Sequence, residues 1–302
     1  MKSLVTGGAG FIGSNLVEEL VKNNSVTVLD NLSSGNLANL KSVQDKICFI
    51  NDSCSNISHL WSHSMSFDVI FHLGIPSASP MYKQNRRLVG DSINDMISVM
   101  EFARMGGVKK VIYASSSSLY NGLPPPHAED MEIKVTDYYT EARLSIERIA
   151  ELYYKLYGVK SVGLRLFSVY GMHEEAKKNY ANIITQFMWD MKKGKQPVIF
   201  GDGKQYRDFT FVKDVVKAFV LMMNTDFGCE VYNVGSGIVY DFNTVVNLLN
   251  SMMGTNIKPT YIENPIQNYV HYTHADLRKI RRLGYEPDYT LSCGVGELMK
   301  GG

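Results

Sequence analysis

The chain has 302 residues, enough for one large α/β unit or two closely packed domains, since a single core stops growing at roughly 250 to 300 residues. Its 31 basic and 30 acidic residues leave a net charge of +1, so no single-sign field draws it onto nucleic acid or an anionic membrane, and a small-molecule partner is expected. Cys48, Cys54, Cys229 and Cys293 lack CxxC spacing, which points to a reduced, cytoplasmic protein without a zinc knuckle or redox pair.

In chain order, the strand "SLVT" comes first, and "MKSLVTGGAGFIG" then breaks into glycines, so neither a signal-peptide core nor a membrane span is expected. Gly7, Gly10 and Gly13 stand where this strand meets a helix predicted from Phe11 to Asn23. Gly7 permits the tight turn, Gly10 lets a pyrophosphate touch backbone, and Gly13 lets helix and strand pack closely. The helix end offers unpaired N–H groups to phosphate. The second strand, "VTVLD", ends in Asp30, seventeen residues beyond Gly13. A carboxylate there accepts both ribose hydroxyls of an adenosine and repels a 2′-phosphate, which favours NAD over NADP. The competing reading of Asp30 is an Asx turn closing the strand.

"ICFI", "FDVIFHL", "KKVIYASS" and "SVGLRLF" continue the series, with helices from about Val89 to Met105 and from Tyr138 to Tyr157. This alternation predicts βαβ units and a parallel sheet. His72, in "FHL", reads as a packed residue at the sheet edge. The run "YASSSSLY" puts four hydroxyls at a carboxyl edge, where open α/β sheets bind ligands. Its alternative is a polar strand end that satisfies its own backbone.

In "DYYTEARLSIER", Tyr139 and Arg143 share a helix face. A phenol acting as general base near pH 7 must move its pKa by roughly three units, about 4 kcal/mol, and a fixed cation with an oxidised nicotinamide supplies much of that. The alternative is an aromatic ring stacked on a surface cation.

After Tyr170-Gly171 the elements shorten to a helix around Asn182 to Lys193, the strand "PVIF", the turn "GDGKQ" and a helix around Asn243 to Met253. "FTFVKDVVKAFVLMM" and "VYNVG" are apolar enough to return to the main sheet. The expected division is therefore 1–168 plus about 209–235 as a dinucleotide-binding domain, with 169–208 and 236–302 forming a smaller, interleaved one. "IPSASPMYKQ" and "NGLPPPHAED" are candidates for exposed, mobile lids, with ordinary surface loops as the alternative. His59 and His63 have an i, i+4 spacing but no third ligand in reach, so no metal site is expected.

Several ordered motifs together resemble the extended short-chain dehydrogenase/reductases, specifically nucleotide-sugar epimerases of the UDP-galactose 4-epimerase type. They are "TGGAGFIG", "LDNLSSG", "FHL", "SSSSLY", Tyr139 with Glu147 eight residues later, "RLFSVYG", "GDGKQYRDFTFVKDVV", "NVGSG" and "ADLRKIRRLGYEP". The resemblance implies an α/β fold, a Rossmann-type doubly wound parallel sheet with a smaller, interleaved C-terminal substrate domain. It implies NAD as cofactor, held by Gly7, Gly10, Phe11, Ile12, Gly13, Asp30, Asn31, Ser34, Gly35, Asp52, Ser53, Leu73 and Gly74 together with Tyr139 and Arg143. Asp52 would contact the adenine amino group; its alternative role is a helix cap. By the same resemblance Tyr139 is the catalytic base, Ser116 bonds the reacting sugar oxygen and Ser117 assists. Ser168, Asn182 and Arg207 meet the substrate with Ser116, Arg207 at its diphosphate. A homodimer through the helices near 90–105 and 138–157 is also implied.

The chain departs from the family pattern in places. Arg143 replaces a lysine, keeping the charge but unable to give up a proton. "FHLAA" reads "FHLGI", an asparagine aligns with Asp91, the asparagine of "FNVYG" is Ser168, and "ENPIQNYVHYTHAD" has no counterpart of the second phosphate-binding arginine. Ser117 and Ser118 stand where related dehydratases carry an Asp-Glu pair and decarboxylases a glutamate, so redox-neutral epimerisation of a nucleotide sugar or a simple oxidoreduction is preferred. A dinucleotide-binding protein of the same fold without turnover is the rival from another class.

Overall fold

In the computed structural model of the protein, which describes residues 1–63, 65–266 and 268–300, the β-branched runs form β1 (Lys2–Thr6), β2 (Ser25–Leu29), β3 (Ile47–Ile50), β4 (Val69–His72), β5 (Lys110–Ser116) and β6 (Ser161–Leu166). They pair in parallel in the order β3-β2-β1-β4-β5-β6, and Cys229–Val234 extends the sheet beside β6 to seven strands. The order reverses between β1 and β4, which opens a crevice at their carboxyl ends. The register sets Thr6 beside both Leu29 and His72 there.

The helices are α1 (Phe11–Leu20), α2 (Ser79–Gln84), α3 (Leu88–Gly106), α4 (Tyr138–Tyr157), α5 (Ile183–Lys192), α6 (Val212–Asn224), α7 (Phe242–Met253), α8 (Arg278–Arg281) and α9 (Leu291–Lys300). Strand alternation sends Val5, Val28, Phe71 and Ile112 into one core with Leu16 and Val17 of α1 and Phe219 of α6. It sends Leu4, Ile70, Val111 and Tyr113 into another with Met96 and Val99 of α3 and Ile146 and Ala150 of α4. Both sheet faces are thus covered, which is why these strands read as nearly continuous apolar runs. "FTFVKDVVKAFVLMM" does return to the main sheet, as α6 lying over it.

A third core gathers Ile184 and Phe187 of α5, Val245 and Leu249 of α7, and Leu291 and Val295 of α9 around Tyr170 and Phe211. The smaller layer therefore has its own apolar interior.

Both segments expected as exposed lids are partly buried. Ser79–Gln84 is helical with a proline in its first turn, where a preset φ favours helix, and Tyr82 is fully buried against Tyr139. In "NGLPPPHAED", His127 is buried, stacked 5.0 Å from Tyr120, and donates its N–H to the His274 carbonyl at 2.7 Å. Turn composition marks where the chain bends; it says nothing of what packs over the bend. Among the described residues no helix is long and apolar enough to cross a membrane.

Candidate active site

At the carboxyl edge of the sheet the turn after β1 meets the turn after β4. Gly7 holds φ +69°, and a Cβ there would stand 2.5 Å from the Gly74 nitrogen, while a Cβ on Gly13 would stand 2.1 Å from the Gly7 carbonyl. No larger residue lets this cradle close. Gly10 caps α1 without a side-chain bond, and no acid occupies the first turn, so the helix end keeps its N–H groups for an anion.

Asp30 is buried and accepts from the Ala9 N–H at 2.9 Å and the Leu32 N–H at 2.8 Å. The second bond is the Asx turn itself, so the carboxylate closes its strand and also lines the cleft. Each oxygen retains acceptor capacity for a ribose hydroxyl. Burial pushes the Asp30 carboxyl above its usual range, against the pull of the two backbone donors. Asp52 likewise closes a turn while standing in the cleft wall. It lines the cleft, and its Oδ1 accepts from the Ser53 N–H at 2.7 Å and Asn56 Nδ2 at 2.8 Å at the start of the 3-10 stretch Cys54–His63. Hydrogen bonding from Asn56 first, then from Ser53, holds its carboxyl low. His72 is fully buried at the end of β4, with Nδ1 2.8 Å from Thr6 Oγ1, and burial pushes its imidazole down to about 3. It packs as a neutral ring.

These residues open into a cleft of ≈ 900 Å³. Gly7, Gly10, Phe11, Ile12, Gly13, Asp30, Asn31, Ser34, Asp52, Ser53, Leu73 and Gly74 line it, and so do Tyr139 and Arg143. Gly35 is not in the wall; a Cβ there would lie 2.9 Å from the Ala9 carbonyl carbon, so it lets the second turn pack on the first. Glycine cradle, uncapped helix end and strand-end acid fit a dinucleotide with an unphosphorylated ribose.

Ser116 ends β5 and Ser117 begins the 3-10 turn Ser117–Tyr120; both line the cleft. Ser116 Oγ accepts from the Ser118 N–H at 3.1 Å, so the hydroxyl caps its own turn and keeps its proton for a ligand. Ser115 also lines the cleft, and its hydroxyl donates to Glu147.

Capping fixes Tyr139 as the second residue of α4. The Asp137 side chain accepts from the Thr140 N–H, and the Thr140 hydroxyl accepts from the Asp137 N–H. Tyr139 is 7% exposed and Arg143 3%, so the pair is no surface stack. A stack exists all the same: the Arg143 guanidinium carbon lies 5.1 Å from the Tyr139 ring centroid. Arg143 Nη1 donates to the Ala114 carbonyl and Nη2 to the Pro76 carbonyl, each at 2.8 Å, while its buried Nε has no partner among the described residues.

Asn182 caps α5 by accepting from the Ile184 N–H at 3.0 Å and donates to the carbonyls of Ser168 at 2.9 Å and Val169 at 3.1 Å. Arg207 lies between the rings of Phe242 and Tyr269, with Nη1 donating to the carbonyls of Tyr206 at 2.9 Å and His271 at 2.8 Å and Nη2 to that of Val270. Ser168, Asn182 and Arg207 all line the cleft, yet Asn182 and Arg207 also brace their own backbone.

Lys83, Asp95 and Lys177 line the same cleft and were missed in the sequence. Asp91 and Asp95 repeat the i, i+4 spacing of Tyr139 and Arg143, a signal that was available for Asp95. His59 pairs with Asp52 at 3.3 Å, and the side chain of His63 lies outside the described residues. No group of three or more His, Cys, Asp or Glu among the described residues is placed to hold a metal ion.

The model of the NAD dependent epimerase/dehydratase family matches residues 3–235. The UDP-glucose 4-epimerase of Mycolicibacterium smegmatis is 30% identical over 314 residues, covering 99% of this chain and 98% of that protein. Among solved structures, UDP-glucose 4-epimerase with UDP-glucose from Thermotoga maritima is 30% identical with a TM-score of 0.93, covering 100% of this chain and 98% of that one. UDP-glucuronic acid 4-epimerase from Bacillus cereus, in complex with UDP-glucuronic acid and NAD, is 26% identical with a TM-score of 0.90, covering 100% of this chain and 98% of that one. A seven-stranded Rossmann-type sheet, a glycine cradle at its switch point and these likenesses place the chain in the NAD dependent epimerase/dehydratase family.

Proposed function

We propose that the protein inverts one carbon of a UDP-hexose, as a UDP-glucose/UDP-galactose 4-epimerase does, through a keto sugar and with Tyr139 as base. The observation that carries this reading is the shared cleft: Tyr139, Ser116 and Ser117 line the same space as the glycine cradle and Asp30. NAD, the cofactor of this family, supplies when bound a reversible hydride acceptor for a secondary alcohol.

The chain's own groups divide the rest of the work. Tyr139 removes the proton of the sugar hydroxyl and later returns it. Ser116, whose oxygen is held by the Ser118 N–H, donates a hydrogen bond to that sugar oxygen and keeps its proton. Arg143 keeps a fixed positive charge over the phenol ring. Asp30 receives the adenosine ribose, and the end of α1 receives the pyrophosphate. Residues 169–208 and 236–302 act as the substrate-binding domain, with Arg207 at the sugar-nucleotide diphosphate and Asn182 and Ser168 beside the sugar. Closing that layer over the sheet excludes water. The working unit is a homodimer through α3 and α4, which leave Met105, Leu152, Leu156 and Tyr157 exposed.

A binding protein without turnover is the second reading, favoured by one observation: Arg143 and Arg207 both direct terminal guanidinium donors at backbone carbonyls. Incubation with UDP-glucose, UDP-galactose, UDP-glucuronic acid and UDP-N-acetylglucosamine, followed by NMR of the sugar protons, separates the two. Interconversion of one pair of epimers supports the enzyme; NAD binding with no interconversion across the panel supports the rival.

A further inference from the structure

The chain from Met172 to Asn182 forms a strap beside the glycine cradle. At its start Asn15 Nδ2 of α1 donates to the Met172 carbonyl at 3.1 Å, and Ser14 Oγ lies 2.9 Å from His173 Nδ1. Further on, the Tyr180 hydroxyl donates to Gln84 of α2 at 3.1 Å. Glu174, fully buried, anchors the interior by accepting from the Asn182 N–H at 2.9 Å and from the Thr185 hydroxyl. His173 and Lys178 hold φ of 72° and 49°, so the path persists against local backbone preference because these contacts determine it.

Lys177 is the strap residue that brings a positive charge to the cleft wall. Its Nζ lies 3.3 Å from Glu174 Oε1 and 5.1 Å from the centroid of the Phe11 ring. Phe11 is the first residue of α1, whose end has no side-chain cap and no acid. An ammonium has three donors, and Glu174 takes one, leaving two for a ligand. Arg143, which also lines the cleft, has its terminal donors directed at the carbonyls of Ala114 and Pro76. We infer that Lys177 binds the pyrophosphate of the dinucleotide, supplying from the strap a charge beside the end of α1.

The inference rests on membership of an NAD-dependent family and not on the epimerase reading. It is tested on protein freed of nucleotide, by calorimetric titration with NAD and, separately, with adenosine, over a range of salt concentrations. Lys177→Met keeps an unbranched stem over Phe11 while removing the charge; Lys177→Arg keeps the charge. The expected result is an NAD dissociation constant raised about tenfold in the Met variant, with a shallower salt dependence, unchanged adenosine binding, and recovery of most of the affinity in the Arg variant. Unchanged NAD affinity in the Met variant, or adenosine weakened as much as NAD, would overturn the inference and leave Lys177 as a brace for Glu174. Failure of the parent protein to bind NAD at all would overturn the cofactor itself, a separate outcome from failure to epimerise any sugar.

Discussion

The Arg143 guanidinium stacks 5.1 Å from the centre of the Tyr139 ring and at the same time ties the end of β5 to the turn after β4 through the carbonyls of Ala114 and Pro76. It is a strut as well as a charge. Arg143→Ala leaves two carbonyls without their donors and is expected to cost about 1–3 kcal/mol for each that stays buried, read from urea denaturation. Arg143→Lys keeps the charge and reaches one carbonyl, so most of the stability and activity should remain. An alanine variant as stable as the parent would refute the strut.

A second prediction concerns the buried pair below the serines. Arg165 Nε and Nη2 meet the two Glu147 oxygens at 2.9 and 2.7 Å, and Arg165 Nη1 donates to the Tyr120 hydroxyl at 2.8 Å, which in turn donates to Asn233 at 2.8 Å. Glu147→Ala strands a guanidinium in the interior and should destabilise the protein by about 3–5 kcal/mol. A loss below about 1 kcal/mol would mean that water reaches and solvates Arg165.

The third prediction is a pH effect at Asp95. Burial first, and then the neighbouring Asp91, push its carboxyl up to about 6 from 3.8. Between those values the folded protein holds a proton that the unfolded chain has released, so this group's contribution to stability falls as pH rises through that window and stays unfavourable above it. Asp95→Asn should therefore raise stability at neutral pH by about 1–3 kcal/mol and change little below the unfolded-chain value. Thermal melts of nucleotide-free protein at both pH values decide it; equal shifts at both would remove ionisation as the cause.

Much of this molecule was legible before its structure. The parallel sheet followed from runs buried on both faces, and the cradle followed from glycines whose absent side chains prove sterically necessary at Gly7 and Gly13. What periodicity could not convey was double duty. Asp30 forms its Asx turn and lines the cleft, Ser116 caps its turn and lines it too, and Tyr139 with Arg143 is both a stack and a buried pair. In each case the local structural role is present and the same side chain also stands in the cleft wall. Lys177 and the inward turn of His127 depend on contacts between segments far apart in sequence, which no local pattern encodes.

In the proposed mechanism the Tyr139 phenol does the proton chemistry in a cleft that also holds NAD. The most direct measurement compares the parent with Tyr139→Phe for epimerisation of UDP-glucose and UDP-galactose and for NAD affinity on the same preparations. Turnover is expected to fall by about 10²–10⁴-fold with NAD affinity little changed. A phenylalanine variant that epimerises at close to the parent rate would contradict it and move the base to another group in the cleft.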